Sequence, residues 1–257
     1  MTTRVGVVGA GGRMGRTVCE AVAADGELHL VAAVDPNHAG EDAPGGVRVE
    51  GELASLVDAG ADVVVDFTVA DAARATLPLL AEHGLHAVVG TTGLDDADVE
   101  SLRGAFTTSN CVLAPNFAIG AVLMVRFAEL AAPFFETAEV LELHHDAKRD
   151  APSGTAMATV RRMAAASDRW APDPTELEVV PGARGGKADQ GIPVHAIRLR
   201  GVIASQEVLL GTTGQTLSIR HDTFDRSSFM PGVLLACKRV ADLPDRVTVG
   251  IEGLLGV

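Results

Sequence analysis

The start of the chain constrains the fold more than any other stretch. A short apolar strand predicted at residues 4–8 runs into a glycine-rich loop, and a helical stretch through 17–22 follows. The loop glycines Gly9, Gly12 and Gly15 follow the spacing G-x-x-G-x-x-G. Between a strand and a helix, such glycines allow the backbone to approach a pyrophosphate, which then binds at the helix N-terminus. This order of elements predicts a dinucleotide-binding fold.

An acid ends the second predicted strand, at residues 28–34. Asp35 follows the glycine loop by about twenty residues, the spacing expected for a carboxylate that binds the adenine ribose. Pro36 comes next, so no basic residue stands beside the acid to hold a 2′-phosphate, although Arg13 in the loop could partly compensate. The sequence therefore favours NADH and leaves NADPH possible.

Strands and helices alternate through the rest of the first half. Buried-type strands are predicted at 62–67, 86–89 and 111–113, with helices at 71–83 and 96–106. This alternation predicts a doubly wound, Rossmann-type α/β domain with a parallel sheet. Ligands of such sheets bind at the carboxyl ends of the strands, where we find the glycine loop, Asp35, Phe67, Gly90, Thr91, Thr92, Ala114, Pro115, Asn116 and Phe117.

The second half changes character and becomes rich in predicted strands. After an apolar helix at 119–135, we predict strands at 138–143, 177–180, 194–199, 205–210 and 216–221, with a hairpin turn at 213–215. The pattern predicts a second α+β domain with a mixed, largely antiparallel sheet. We expect a dinucleotide-binding domain at 1–117 and a substrate-binding and oligomerisation domain at 118–230. A helix is predicted at about 227–241 and a short strand at 246–251, and we expect residues 231–257 to return to the first domain.

The chemistry is expected between the strand at 138–143 and a helix at 157–166. His144, His145 and Lys148 lie here, close to a Pro-Ser-Gly-Thr helix start. Imidazole and ammonium groups beside a helix N-terminus describe a site for a small anion with a proton donor. The two histidines would point to opposite faces if both lay on the strand, so we expect different roles and no shared metal ion.

The helix start itself offers hydrogen-bond donors. Ser153 or Thr155 can cap it. The first backbone N–H groups, those around Gly154 and Thr155, would then meet a bound anion.

Composition excludes several classes of partner. Of the 257 residues, 21 are Lys or Arg and 34 are Asp or Glu, which gives a net charge of −13 and disfavours nucleic acid and anionic membranes. No secretory signal and no apolar segment of membrane-spanning length is visible. Cys19, Cys111 and Cys237 lie far apart, which fits reduced thiols in a cytoplasmic protein and does not fit a zinc site.

The motifs together resemble the dihydrodipicolinate reductase family of bacterial lysine biosynthesis, whose members are now called 4-hydroxy-tetrahydrodipicolinate reductases. The resemblance spans essentially the whole chain. It is carried by residues 8–15, 66–68, 89–93, 114–120, 142–156, 193–198 and 221–222.

The resemblance implies an NAD(P)H-dependent reduction of 4-hydroxy-tetrahydrodipicolinate to tetrahydrodipicolinate, by a cytoplasmic homotetramer built through the second domain's sheet. It implies that the pyrophosphate and the nicotinamide side are held by Gly9, Ala10, Gly11, Gly12, Arg13, Met14, Gly90, Thr91, Thr92, Ala114, Pro115, Asn116 and Phe117. It also implies that Asp35 binds the ribose. Pro36 departs from many members, which carry a basic residue there, and this puts a strong NADPH preference in doubt.

The same resemblance implies the roles of the second domain. His144 corresponds to the catalytic acid/base and Lys148 to the proton donor. The substrate, a small cyclic dicarboxylate, would have its carboxylate bound by His145, Ser153, Gly154 and Thr155. The resemblance implies no metal.

Three other functions remain open at this stage. Another two-domain NAD(P)-dependent dehydrogenase, such as a semialdehyde dehydrogenase, needs a nucleophilic Cys at a helix N-terminus, and neither Cys19 nor Cys111 fits. A non-catalytic dinucleotide sensor would have no reason to keep a proton donor beside an anion site. A lyase that uses the same His and Lys is disfavoured by the glycine loop and Asp35.

Overall fold

The computed structural model describes residues 2–257. The chain divides into two compact units, Met1–Ala118 with Arg226–Val257, and Ile119–Asp225. Each unit contains one β-sheet and its own cluster of buried apolar side chains.

The first unit is built on a seven-stranded sheet in which every strand pair is parallel. The strands are β1 (Thr3–Val8), β2 (Leu28–Val34), β3 (Val49–Glu50), β4 (Val63–Asp66), β5 (His86–Val89), β6 (Cys111–Leu113) and β12 (Val247–Val249). Their order is β12-β6-β5-β4-β1-β2-β3, so the direction of winding reverses between β1 and β4. Ligands of doubly wound sheets bind at such a reversal, outside the carboxyl ends of the strands.

Helices accompany this sheet. They are α1 (Arg13–Ala24), α2 (Ala54–Asp58), α3 (Ala70–Glu82), α4 (Asp96–Ala105), α7 (Met230–Arg239) and α8 (Glu252–Leu255). The strands are buried along most of their length, and β4 is buried at every residue. This is why they read as continuous apolar runs instead of alternating ones.

The second unit has a five-stranded mixed sheet. Its elements are α5 (Ile119–Ala131), β7 (Thr137–His144), α6 (Gly154–Ala166), β8 (Gly186–Lys187), β9 (Pro193–Arg198), β10 (Ala204–Thr212) and β11 (Gln215–Thr223). The order is β11-β10-β7-β9-β8. Only β7 and β9 pair in parallel, and the other three pairs are antiparallel.

The predicted fold class is confirmed: a parallel, Rossmann-type sheet and a second, mixed and largely antiparallel sheet. The turn between β10 and β11 lies at the predicted position and contains Gly214 at φ +82. Glycine adopts this left-handed conformation without the steric cost that a side chain would add. The short elements β3, α2, β8 and α8 were not predicted.

The prediction of a strand at 177–180 was wrong. The segment is irregular, and Leu177, Val179 and Val180 are exposed. Its alternating apolar residues satisfy the local pattern of a strand, but no strand among residues 2–257 pairs with it. Without a neighbouring strand, the local preference for extended backbone does not form a sheet.

Candidate active site

The glycine loop joins β1 to α1 with the geometry of a phosphate cradle. Gly9 has φ +77, and a Cβ atom at Gly15 would overlap the Gly9 carbonyl oxygen. The N–H groups of Gly9 and Ala10 donate to the carbonyl oxygen of Val34, which ties the loop to the end of β2. The positive φ of Gly9 and the close approach at Gly15 require glycine, and the hydrogen bonds to Val34 fix the backbone where a ligand would approach it.

The backbone N–H groups at the start of α1 are not capped by any side chain that the structure describes. Gly12 is the N-cap, and no side chain among residues 2–257 caps the helix there. Arg13, the first residue of the helix, is exposed. The N–H groups of a helix's first turn have no carbonyl partner within the helix, and the helix dipole favours negative charge beside them. This end of α1 therefore fits a pyrophosphate.

Asp35 lies directly after β2 and is buried, with 7% of its surface exposed. One carboxylate oxygen accepts the N–H of Gly11 at 3.1 Å, and the other accepts the N–H of Asn37 at 3.0 Å. The imidazole Nδ1 of His38 lies 3.2 Å from the oxygen that Gly11 binds. The acid is thus held beside the glycine loop, where it was predicted to meet a ribose.

The ends of β4 and β5 meet through a buried carboxylate that the sequence reasoning did not select. Oδ1 of Asp66 accepts the hydroxyls of Thr68 and Thr91, at 2.7 and 2.8 Å, and the N–H of Thr68 at 2.9 Å. A Cβ atom at Gly90 would overlap the Phe67 ring. Asp66 therefore holds the two strand ends together.

The remaining cofactor residues predicted at this edge follow β5 and β6. Thr92 and Pro115 are exposed, whereas Ala114 and Phe117 are buried. The rings of Phe117 and Phe67 lie 5.8 Å apart between centroids, at an angle of 55°. All fifteen residues predicted to bind the cofactor thus lie in the first unit, at the carboxyl ends of β1, β2, β4, β5 and β6. Their individual roles remain predictions.

In the second unit, β7 carries His144 at its last position. Its ring Nδ1 lies 2.5 Å from Oε2 of Glu142, a fully buried carboxylate on the same face of the strand. The pKa of His144 is lowered by burial and by the cations Lys148 and Arg198, against the raising effect of Glu142. Nε2 of the ring has no hydrogen-bond partner among residues 2–257, so it is the nitrogen that a ligand can meet.

The loop after β7 carries Lys148. Its ammonium lies 2.8 and 2.7 Å from the two carboxylate oxygens of Asp150. The loop turns at 145–148, where the N–H of Lys148 donates to the carbonyl oxygen of His145. His144 ends β7, whereas His145 lies beyond the strand and is exposed, so the condition that both histidines lie on the strand is not met. The turn, and not strand alternation, separates their side chains.

The helix α6 starts at Gly154, within the Pro-Ser-Gly-Thr segment where a helix start was predicted. Ser153 is the N-cap: its hydroxyl oxygen accepts the N–H of Ala156 at 3.1 Å. Gly154 is exposed, Thr155 is half-buried, and a Cβ atom at Gly154 would meet nothing within 4 Å. The helix therefore opens toward free space at the end where an anion is favoured.

Besides Asp66 in the first unit, the sequence reasoning missed Glu142 and Arg198 in the second unit. The guanidinium of Arg198 donates to both carboxylate oxygens of Glu142, at 3.0 Å each. One signal could have found Glu142: Ala138 and Val140 face the core, and Glu142 has the same parity along the strand. An acid on the buried face of a strand needs partners, which points to a function for it.

The cysteines do not resemble catalytic nucleophiles. Cys19, Cys111 and Cys237 are free and buried. Burial raises the pKa of each thiol, to about 12 for Cys19 and Cys237. Reactive thiols have lowered pKa values, so this structure offers no support for a semialdehyde dehydrogenase.

Within residues 2–257, no cluster of three or more His, Cys, Asp or Glu side chains could hold a metal ion. Over the same residues, no helix combines the length and the hydropathy needed to span a bilayer.

Comparison with known proteins identifies the family. The family model for the N-terminal part of dihydrodipicolinate reductase matches residues 3–117, and the one for its C-terminal part matches residues 120–255. The chain belongs to the dihydrodipicolinate reductase family. It is therefore an oxidoreductase, and a reductase with this dinucleotide-binding fold uses NAD(P)H.

Relatives within the dihydrodipicolinate reductase family align from end to end. The chain is 52% identical to the 4-hydroxy-tetrahydrodipicolinate reductase of Thermobifida fusca and 49% identical to that of Nocardia farcinica, over 99% of both chains in each pair. A dipicolinate-bound dihydrodipicolinate reductase from Paenisporosarcina sp. TG-14 superimposes with a TM-score of 0.88. It is 36% identical and covers 98% of this chain and 99% of its own.

Proposed function

We propose that this chain catalyses the NAD(P)H-dependent reduction of 4-hydroxy-tetrahydrodipicolinate to tetrahydrodipicolinate, in lysine and diaminopimelate biosynthesis. One observation carries the proposal: a chain that aligns end to end with reductases of that name holds His144, Lys148 and a capped helix start in one short segment. Such a segment can bind a carboxylate and supply a proton.

The first unit binds the dinucleotide in this proposal. The loop from Gly9 to Met14 and the uncapped start of α1 hold the pyrophosphate, and Asp35 holds the ribose. The residues after β4, β5 and β6 line the nicotinamide side. The bound nicotinamide supplies the hydride.

The second unit binds the cyclic dicarboxylate. A carboxylate at the start of α6 meets backbone N–H groups at Gly154 and Thr155, together with the favourable end of the helix dipole. His145, in the loop before α6, has an exposed side chain and adds a further hydrogen-bond donor. Ser153 holds the start of α6 in place, because its hydroxyl caps the helix and its N–H donates to Glu142 at 3.1 Å.

The proton comes from the same segment. Loss of the 4-hydroxyl group as water leaves a conjugated imine, and hydride addition to that system builds negative charge at its far end. Lys148 is the proton donor, because an ammonium placed there can neutralise that charge as it forms. His144 acts as the acid/base partner through Nε2, since Nδ1 is already bound to Glu142.

NADH is the preferred cofactor in this proposal. Both oxygens of Asp35 are held by backbone N–H groups, so the carboxylate stays in place at the predicted ribose site. A carboxylate there favours a free 2′-hydroxyl and repels a 2′-phosphate. Pro36 adds no positive charge that would offset this.

We also propose a cytoplasmic homotetramer that assembles through the sheet of the second unit. The strand alternation places Leu209 on β10 and Ile197 on β9 on the sheet face opposite Val208 and Val140, and both are 37% exposed. An exposed apolar sheet face of this kind fits an interface between copies of the chain. Sedimentation velocity tests it: a monomer at micromolar concentration would contradict the assembly.

The activity is tested by following NADH and NADPH oxidation with substrate made freshly by the preceding synthase reaction. We expect absorbance loss that depends on substrate, a larger kcat/KM with NADH, and competitive inhibition by pyridine-2,6-dicarboxylate. Binding of NADH without substrate-dependent oxidation would favour a dinucleotide sensor instead. Conversion of the substrate without nucleotide would favour a lyase.

A further inference from the structure

The carboxylate of Glu142 is buried in the second unit and makes several hydrogen bonds. Its side chain is fully buried. It accepts two hydrogen bonds from Arg198 at 3.0 Å and one from the N–H of Ser153 at 3.1 Å, and it lies 2.5 Å from Nδ1 of His144. One buried acid thus joins the end of β7, the end of β9 and the start of α6.

Arg198, which binds this acid, uses both of its terminal nitrogens in hydrogen bonds. Besides Glu142, the terminal nitrogens of Arg198 donate to the carbonyl oxygens of Asp150 and Ile197, at 2.6 and 2.9 Å. Arg198 therefore holds the loop that carries Lys148 and has no terminal nitrogen left for a substrate carboxylate. Its place opposite His144 in the β7–β9 register could suggest a substrate ligand, but these contacts argue for a supporting role.

We propose that Glu142, held by Arg198, is a positioning residue: it fixes the orientation of the His144 ring, with the proton on Nδ1 when the ring is neutral and Nε2 left to react. The inference rests on the proposed function of His144. A carboxylate that accepts from one ring nitrogen decides which tautomer is present and therefore what the other nitrogen can do.

Charge supports this assignment. Burial raises the pKa of Glu142, but the hydrogen bonds from Arg198 and His144 outweigh it and leave the pKa below its usual range, so the group is ionised. The charged groups that face His144 are Glu142 on its own strand, Arg198 on β9 and Lys148 in the following loop. Of these, Glu142 alone raises the pKa of His144, and its loss must lower that pKa further.

The same two strands supply a matched control. On the opposite face of the sheet, Glu139 of β7 lies 2.7 Å from Nε2 of His195 on β9 and 2.5 Å from the guanidinium of Arg184. This second group repeats the Glu, His and Arg arrangement away from the capped start of α6. Glu139→Gln removes the same charge from the same strand and leaves His144 untouched. Because Glu139 pairs with Leu209 on the sheet face proposed for assembly, the oligomeric state of this variant is compared with that of the wild type.

The decisive measurement is the imidazole nitrogen spectrum of the full-length protein, with His144 assigned by the signals that vanish in His144→Gln. In the wild type we expect the tautomer with the proton on Nδ1. In Glu142→Gln we expect a lower pKa for His144 and a larger fraction with the proton on Nε2. Glu139→Gln should leave both properties of His144 unchanged.

Kinetics provide the second readout. Glu142→Gln should lower kcat by at least about tenfold, as expected when an acid/base histidine loses its partner, with little change in the KM for NADH. The limb of the pH–kcat profile that His144 governs should move to lower pH. Glu142→Asp, which keeps the charge, should recover part of kcat.

An uncharged residue at position 142 leaves Arg198 without its counter-ion and could prevent folding. The double variant Glu142→Leu with Arg198→Met removes both charges together and serves in that case. An unchanged His144 tautomer in either folded variant would overturn the proposal, even if kcat fell. An unchanged His144 pKa in folded Glu142→Gln would overturn it as well, whereas the double variant is judged on the tautomer because Glu142 and Arg198 shift that pKa in opposite directions. If the wild type showed no reductase activity, the proposed function would fail, and the nitrogen spectrum would still decide the role of Glu142.

Discussion

The ammonium of Lys148 is held by both carboxylate oxygens of Asp150, at 2.8 and 2.7 Å, two residues further along the chain. The contact lowers the pKa of the Asp150 carboxyl, chiefly through the hydrogen bond from Lys148. Asp150 itself is 67% exposed, whereas Lys148 is 20% exposed. The proposed proton donor is therefore paired with a surface carboxylate, and in the proposed mechanism its ammonium must leave that carboxylate before it can reach a substrate.

Asp150→Asn should make the protein bind its substrate more tightly. Without the competing carboxylate, the Lys148 ammonium is available to the dicarboxylate, and we expect the KM for substrate to fall by up to about fivefold, the range of an exposed ion pair. Steady-state kinetics at saturating NADH measure it. Asp146→Asn is the matched control, because Asp146 lies in the same loop as Asp150 but pairs with the exposed Arg200 that follows β9. A KM that rises instead would show that Asp150 helps to bind the substrate.

Lys148→Ala and His144→Ala should each lower kcat by roughly two orders of magnitude or more, since each removes a group proposed to handle the proton. The affinity for NADH, measured by fluorescence titration, should change little, because the predicted cofactor residues lie in the first unit. Retention of full turnover in both variants would refute the proposed roles.

Thr155→Val should raise the KM for substrate and leave NADH binding unchanged. The substitution keeps the shape of a branched side chain at the second residue of α6 but removes a hydroxyl from the proposed carboxylate site. Inhibition constants for pyridine-2,6-dicarboxylate should rise in parallel with the KM. If only cofactor binding weakened, the start of α6 would not be the carboxylate site.

Pro36→Arg should shift the cofactor preference toward NADPH. The position is exposed and directly follows Asp35, so an arginine there can meet a 2′-phosphate with charge-assisted hydrogen bonds. We expect the ratio of kcat/KM for NADPH to that for NADH to rise by about tenfold. No shift would mean that the 2′-position is read elsewhere, and Arg13→Ala would then be the next variant to measure.

Asp98 should contribute stability that depends on pH. Hydrogen bonds from Arg74 lower its pKa to about 2. Because the folded pKa lies below the unfolded value of about 4, the contribution is complete above that value and is lost as the pH falls through about 2. Urea unfolding should therefore show Asp98→Asn less stable than wild type at neutral pH, with the difference shrinking below about pH 4. Asp71→Asn, at a 95% exposed partner of the same arginine, should have the smaller effect.

The parts of the fold that local pattern determines were predictable. Strands β2, β5 and β6 have the predicted bounds because each is a short apolar run between turn residues. The glycine loop and Asp35 were predictable for the same reason, since their chemistry depends on the spacing between them. The class of both sheets followed from the order of such elements.

What local pattern could not supply was the pairing of distant residues. Arg198 meets Glu142 across 56 positions of sequence, because β7 and β9 happen to be neighbours in the sheet. The prediction of a strand at 177–180 was wrong because it also depended on a distant partner. The residues suit a strand, but no strand pairs with them in the part of the chain that is described. Partner choice is a property of the whole sheet, so it cannot be read from one strand.

The seventh strand of the parallel sheet comes from residues 247–249, at the far end of the chain from β1. During synthesis, residues 119–225 therefore leave the ribosome as a complete unit while the first sheet still lacks its edge beside β6. That edge must stay unpaired until residues 247–249 emerge. The first sheet is therefore begun before residues 119–225 are made and completed after them, so a chain that lacks residues 247–249 has an open sheet edge at β6.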